Sequence, residues 1–130
     1  MPLAQLMHQY LLENPLPVEV VVPVPLYQGR VRERGYNQAA LLARELGQEI
    51  GLPVEESLIR VRDTAPQVGL PASQRRENVR NAFLCQGLGK ERVLLIDDVC
   101  TTGATLEACA VALREGGAQS VWALVLARER

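Results

Sequence analysis

The residues best suited to chemistry in this chain are two adjacent carboxylates, Asp97 and Asp98, with Thr101, Thr102, Gly103, Ala104 and Thr105 close behind them. Only three aspartates occur in the sequence, and two of them stand side by side where an apolar run stops. Carboxylates so placed can accept hydrogen bonds from vicinal hydroxyls, or hold Mg²⁺ through water. The short side chains that follow let an anion approach the backbone amides. If those amides open a helix, its unpaired N–H groups and positive dipole end suit a phosphate monoester, and the threonine hydroxyls add donors. A diol on one side and a phosphate on the other together describe a ribose 5-phosphate.

The elements needed to position such a site are present on both sides of it. Val93 to Ile96 is a short aliphatic run without polar alternation, as expected of a central strand covered on both faces, and the strand is predicted over Arg92 to Asp97. Downstream, Leu106, Cys109, Ala110 and Leu113 recur at helical spacing, and Gly116-Gly117 supplies a stop. A last strand is expected from Ser120 to Ala127. Nearer the N-terminus, Leu3, Leu6, Met7, Tyr10 and Leu11 predict an amphipathic helix that ends before Asn14-Pro15. Val18 to Val22 reads as a strand, after which Pro23 and Pro25 forbid ladder bonds and force a turn. Ala39, Leu42, Ala43, Leu46 and Ile50 mark a second helix, closed by Gly51 and Pro53. Val54 to Val61 reads as extended, and Asn81 to Gln86 as a short strand. Over about 62–80 apolar periodicity vanishes and Pro66, Gly69 and Pro71 interrupt the chain, which predicts a long mobile loop. Strands alternating with helices imply an α/β fold with a mostly parallel sheet and ligand at the strands' carboxyl ends.

Other nucleotide motifs fit less well. There is no Gly-Lys-Ser/Thr ending for a P-loop and no G-x-G-x-x-G for a dinucleotide site. A receiver-type Mg²⁺ site needs a third aspartate and a lysine downstream, whereas Asp63 and Lys90 both lie upstream. A plain helix cap would need one hydroxyl and no acidic pair. Cys100 lies inside the motif, but the single histidine, His8, sits in the first helix, so no base is at hand to activate a thiol nucleophile.

Composition sets the outer limits. The 130 residues suffice for one core, so a single domain over 1–130 is expected; with 48% hydrophobic and only 4% aromatic residues that core must be aliphatic. A net charge of −1 exerts no global pull on nucleic acid or membrane. Arginines are nonetheless clustered, with Arg30, Arg32 and Arg34 in one group and Arg60, Arg62, Arg75, Arg76 and Arg80 in another, which suggests a polyanion bound at one place. No run reaches the length of a membrane span, no basic leader precedes an apolar stretch, and a cytoplasmic protein is expected. The three cysteines form no C-x-x-C pair, so neither a disulfide framework nor a zinc site is indicated.

At the acidic motif the chain resembles the 5-phosphoribosyl pyrophosphate (PRPP) signature of type I phosphoribosyltransferases, and as a whole it is similar to the phosphoribosyltransferase domain of the ComF family of competence-related proteins. Four further blocks carry the likeness: Val22-Pro-Val-Pro25, Arg34-Gly-Tyr-Asn-Gln38, Gln67 with Arg75 and Asn78, and Asn81-Ala-Phe83. The resemblance implies the type I phosphoribosyltransferase fold, a Rossmann-like sheet flanked by helices. It also implies a reaction in which a base or amine, unidentified, displaces pyrophosphate from PRPP. Asp97 and Asp98 would then hold the ribose hydroxyls, Thr101 to Thr105 the 5-phosphate, and Mg²⁺, near Asp97 and Asp98, would serve the pyrophosphate together with the turn at Pro25, Arg34 and Arg75. Gln67 and Asn78 would orient the covering loop or touch substrate. Asp97, Asp98 and Arg75 are the residues expected to matter to catalysis. Full-length ComF-like proteins carry a cysteine-rich zinc module before this domain, and no such module is read here. The same likeness admits a non-catalytic role in DNA uptake, with single-stranded DNA or the competence machinery as partner, and leaves a homodimer open.

Overall fold

The computed structural model describes residues 2–26, 37–61, 82–89, 91–100 and 103–128. The predicted loop over 62–80 lies outside them, as do Thr101, Thr102, Arg34, Gln67, Arg75 and Asn78. The described chain runs α1 (Leu3–Glu13), β1 (Val20–Pro23), α2 (Gln38–Ile50), β2 (Leu58–Arg60), β3 (Phe83–Cys85), β4 (Arg92–Cys100), α3 (Ala104–Glu115) and β5 (Ser120–Arg128).

Three strands form a parallel sheet in the order β1-β4-β5, with Val20 opposite Val93 and Leu94 opposite Trp122. Val54 adds a single parallel bridge on the outer side of β1. β4 is thus the central strand, and Val93, Leu94, Leu95 and Ile96 are wholly buried, as the unbroken apolar run requires of a strand covered on both faces. Its odd positions, Val93 and Leu95, join Val22, Phe83, Cys109 and Leu113 in one cluster beneath α3 and the β2–β3 pair. Its even positions, Leu94 and Ile96, join Met7, Leu42, Ala43 and Leu46 in a second cluster beneath α1 and α2. The period-2 alternation of a strand therefore divides the interior into two cores.

Helix ends follow local chemistry. The Asn37 side chain caps α2 by accepting from the amides of Ala39 and Ala40. Gly51, at φ 73°, closes the helix in the left-handed conformation that glycine adopts without strain. α1 ends where the backbone N–H and side-chain amide of Asn14 both donate to the Tyr10 carbonyl. Between the two helices His8 Nδ1 lies 2.9 Å from Glu49 Oε2.

Several expectations need correction. β1 begins at Val20 rather than Val18, because Glu19 already donates its amide to the Arg92 carbonyl and the ladder proper starts one residue later. Pro23 ends the strand rather than following it. The extended segment 54–61 is two pieces with different partners: Val54 bridges β1, whereas β2 pairs antiparallel with β3, Leu58 opposite Cys85. β4 runs three residues beyond Asp97. On α1 the buried face is Ala4 and Met7, with Leu11 partly covered, while Leu3, Leu6 and Tyr10 remain about half exposed. Small Ala4 lets the helix lie close to α2, and the bulkier neighbours are turned outward. On α3 Ala112 rather than Ala110 completes the buried stripe.

Candidate functional site

The site is built at the carboxyl end of the central strand. Asp97 is still paired across to Val125 of β5, so the first carboxylate stands on a strand and not on a free loop. Strand alternation sends Asp97 towards the α3 side, the side of Val93 and Leu95. The neighbours confirm it, for the charges felt by Asp97 include Arg60 of β2, and Asp97 in turn acts on the Cys109 thiol of α3. Asp97 Oδ1 accepts the backbone N–H of Asp98 at 2.9 Å.

Burial pushes the Asp97 carboxyl up to about 7, well above the ordinary 3.8. A hydrogen bond with the Asp98 side chain and the Asp98 charge raise it further, while the Asp98 amide and Arg60 act in the opposite direction. A carboxyl so buried and so close to a second one resists ionisation, and Asp97 therefore keeps its proton at a pH where an exposed aspartate has lost it. Burial likewise pushes the Cys109 thiol well up, so that cysteine is an apolar wall beneath the site and no nucleophile.

Gly103 stands next on the path to α3, at φ 84°, and serves as the helix N-cap. Glycine is called for because the backbone turns through the left-handed region before the helix begins. Having no side chain, it leaves the mouth of the helix unroofed, and a Cβ built there would meet no atom within 4 Å. Ala104 is buried and Thr105 half-buried in the first turn. The acidic pair on β4 and the amino end of α3 are joined by a short stretch of chain in which Thr101 and Thr102 lie outside the described residues.

Pro25 lies two residues past the end of β1, the strand that flanks β4 opposite β5. The Val24 amide, just before it, donates to the Ile96 carbonyl at 2.9 Å, which ties the Pro-Val-Pro turn to the residue that precedes Asp97. Arg34, Gln67, Arg75 and Asn78 are outside the described residues.

Two residues escaped selection from the sequence. Arg60, read only as part of an arginine cluster, lies half-buried at the end of β2 with its guanidinium 4.9 Å from the centroid of the Phe83 ring and its charge directed at Asp97. No local pattern marked it, since its position depends on β2 pairing with β3. Asn37 was legible as a cap, but its second bond, to Val24, was not.

Among the described residues no group of three His, Cys, Asp or Glu side chains could enclose a metal ion. The oxygen donors of Asp97 and Asp98 still fit Mg²⁺ in its usual mode, in which one or two carboxylates act through water and substrate oxygens complete the shell. No helix among the described residues is long and apolar enough to cross a membrane.

Comparison with known proteins agrees with this fold. A family model described as the phosphoribosyl transferase domain matches residues 31–130. Competence protein F of Haemophilus influenzae is 42% identical over 115 residues, covering 85% of this chain and 50% of that protein. DNA utilization protein YhgH of Salmonella typhi is 39% identical, covering 88% and 51%, and competence protein ComFC of Bacillus subtilis 36% identical, covering 84% and 44%. The chain thus spans about half the length of these curated relatives. In fold it is similar to glutamine PRPP amidotransferase from B. subtilis, with TM-score 0.65 and 23% identity over 95% of this chain and 25% of that one. Purine phosphoribosyltransferase from Pyrococcus horikoshii gives TM-score 0.61 and 19% identity over 97% and 70%.

Proposed function

The chain belongs to the phosphoribosyl transferase domain family, and from that premise we propose that it binds PRPP with Mg²⁺ and exchanges the pyrophosphate for a nitrogen nucleophile, a base or an amine. The observation that carries this reading is the acidic pair in the last half of β4, the central strand, with the Gly103-headed amino end of α3 a few residues further along the chain.

In the reaction the bond from ribose C1 to the pyrophosphate oxygen breaks and its electron pair leaves with pyrophosphate. A bond from C1 to the acceptor nitrogen forms, and the acceptor's proton passes to solvent or to a neighbouring base. Positive charge builds on the ribose ring, so carboxylates at Asp97 and Asp98 would serve twice, accepting from the 2- and 3-hydroxyls and stabilising the cationic ring. The first-turn amides of α3, with Thr101, Thr102, Gly103, Ala104 and Thr105, would take the 5-phosphate. The turn at Pro25 with Arg34 and Arg75 would face the pyrophosphate, and Gln67 and Asn78 would order the cover. Mg²⁺, held through water by Asp97 and Asp98 and by substrate oxygens, would supply charge neutralisation for the leaving group. Such a protein would work in the cytoplasm.

Thermal unfolding with and without PRPP and Mg²⁺ tests the binding step. Ligand at a hundred times its dissociation constant stabilises the native state by about 2.7 kcal/mol, and the gain should vanish in Asp97→Asn/Asp98→Asn. Folded protein that shows no gain would remove the proposal; after a gain, pyrophosphate release with a panel of bases and amines identifies the acceptor.

The names of the relatives favour a second reading, that the same fold serves DNA handling without turnover. Salt-dependent binding of single-stranded DNA, lost in Arg75→Ala/Arg76→Ala, would support it. Absence of binding at low salt would exclude it.

A further inference from the structure

Asn37 does more than cap a helix. Its Oδ1 accepts from the amides of Ala39 and Ala40, at 3.0 and 3.3 Å, and this fixes the orientation of the side-chain amide, because only its Nδ2 is then left to donate. That Nδ2 lies 3.3 Å from the carbonyl oxygen of Val24. Val24 is buried, and its own N–H donates to the Ile96 carbonyl at 2.9 Å. The two peptide units that flank the Val24 Cα are therefore both held, the first by β4 through its amide and the second by α2 through its carbonyl.

The held carbonyl is the one joined to Pro25. Proline has no N–H with which to anchor the turn for itself, so the direction in which the chain leaves Val24 rests on these two bonds. A continuous path of bonds thus runs from the start of α2, through Asn37 and Val24, to Ile96 and the carboxylate beside it. Along this path stand the two parts of the proposed site, the Pro25 turn on one side and Asp97 on the other.

We infer that Asn37 is a positioning residue for the pyrophosphate end of the site, locking the Val24-Pro25 peptide in register with the acidic pair. The inference rests on the PRPP reading and deepens it. Asn37 need not touch the ligand; it would set where the turn presents its backbone to the pyrophosphate, and a displacement of about 1 Å there is enough to weaken binding severely.

Two substitutions separate this role from capping. Serine and aspartate cap as well as asparagine does, but Asn37→Ser removes the donor to Val24, and Asn37→Asp turns an acceptor against the carbonyl. The probes are PRPP with Mg²⁺ and ribose 5-phosphate, which shares the sugar and 5-phosphate but lacks the pyrophosphate. In both variants the unliganded protein should melt within about 5 °C of wild type. PRPP affinity should fall roughly tenfold, the equivalent of one hydrogen bond, more in Asn37→Asp, while ribose 5-phosphate affinity stays unchanged. In the unliganded variants the Val24 amide should also exchange its hydrogen faster.

Equal loss for both ligands, or no loss for either, with wild-type exchange at Val24, would overturn the inference and leave the PRPP reading standing. Wild-type protein that binds neither ligand would bring down that reading, and this inference with it. Should Asn37→Ser prove unfolded, Asn37→Asp, which adds a favourable charge at the helix start, carries the same comparison.

Discussion

The raised carboxyl of Asp97 predicts that the protein loses stability as pH rises, opposite to the behaviour of a salt-bridged aspartate. The native group releases its proton at about 7 and the ordinary group at 3.8. Between these values the folded chain holds a proton that the unfolded chain has already lost, so stability falls as pH climbs through this window and levels off above it. Three pH units at 1.36 kcal/mol each set a ceiling of about 4 kcal/mol, of which the two units above pH 5 contribute about 2–3 kcal/mol. Asp97→Asn removes the titration while its side-chain oxygen can still accept the Asp98 amide. Urea unfolding of both proteins from pH 5 to pH 9 should show near-equal stability at pH 5. At pH 8.5 the variant should be the more stable by about 2 kcal/mol, or roughly 8 °C in Tm. Taking the difference between the two proteins cancels the titrating groups that do not interact with Asp97. Arg60→Met, which removes the opposing cation, should move the midpoint of the wild-type fall to higher pH. A difference that stays constant across the range, or one in which Asp97→Asn is the weaker partner at high pH, would refute the account of Asp97 as a buried carboxyl that holds its proton.

Two glycines allow separate checks. Gly103→Ala meets open space but keeps a left-handed backbone, so chemical denaturation should show a loss of about 1–2 kcal/mol, smaller for Gly103→Asn, with weaker binding of ribose 5-phosphate. Gly47→Ala should also destabilise, by roughly 1–3 kcal/mol, although alanine is the better helix former. Its Cβ would collide with a Val54 methyl and stand 2.9 Å from the Leu52 carbonyl oxygen. A rise in Tm for Gly47→Ala would show that this close approach relaxes freely.

What could be read in the sequence was whatever a single segment determines. The burial of β4 follows from its unbroken aliphatic run, the acidic pair from the abrupt end of that run, and α3 from helical spacing closed by two glycines. Asn37 announced itself as a cap by residue type and place. Features that join distant segments were hidden. The three-residue strands β2 and β3 are too short for periodicity and exist because each supplies the other's ladder. Arg60 gained its relation to Asp97 only through that pairing. On α1 the periodicity admitted several faces, and the choice of Ala4 and Met7 was made by the surface of α2. The likeness to a known family supplied the roles of residues that no spacing rule would have assigned.

The division of the interior by β4 bears on how the protein can be altered. The cluster beneath α1 and α2 contains none of the groups that surround Asp97, whereas the cluster beneath α3 contains Phe83 and Cys109, the neighbours of Arg60 and Asp97. Substitutions on opposite faces of the sheet, far enough apart to share no partner, act nearly independently on stability. An engineer seeking a hardier version has one compartment, around Met7, Leu42 and Leu46, in which to work without disturbing the electrostatics of the acidic pair, and natural variation has the same freedom there.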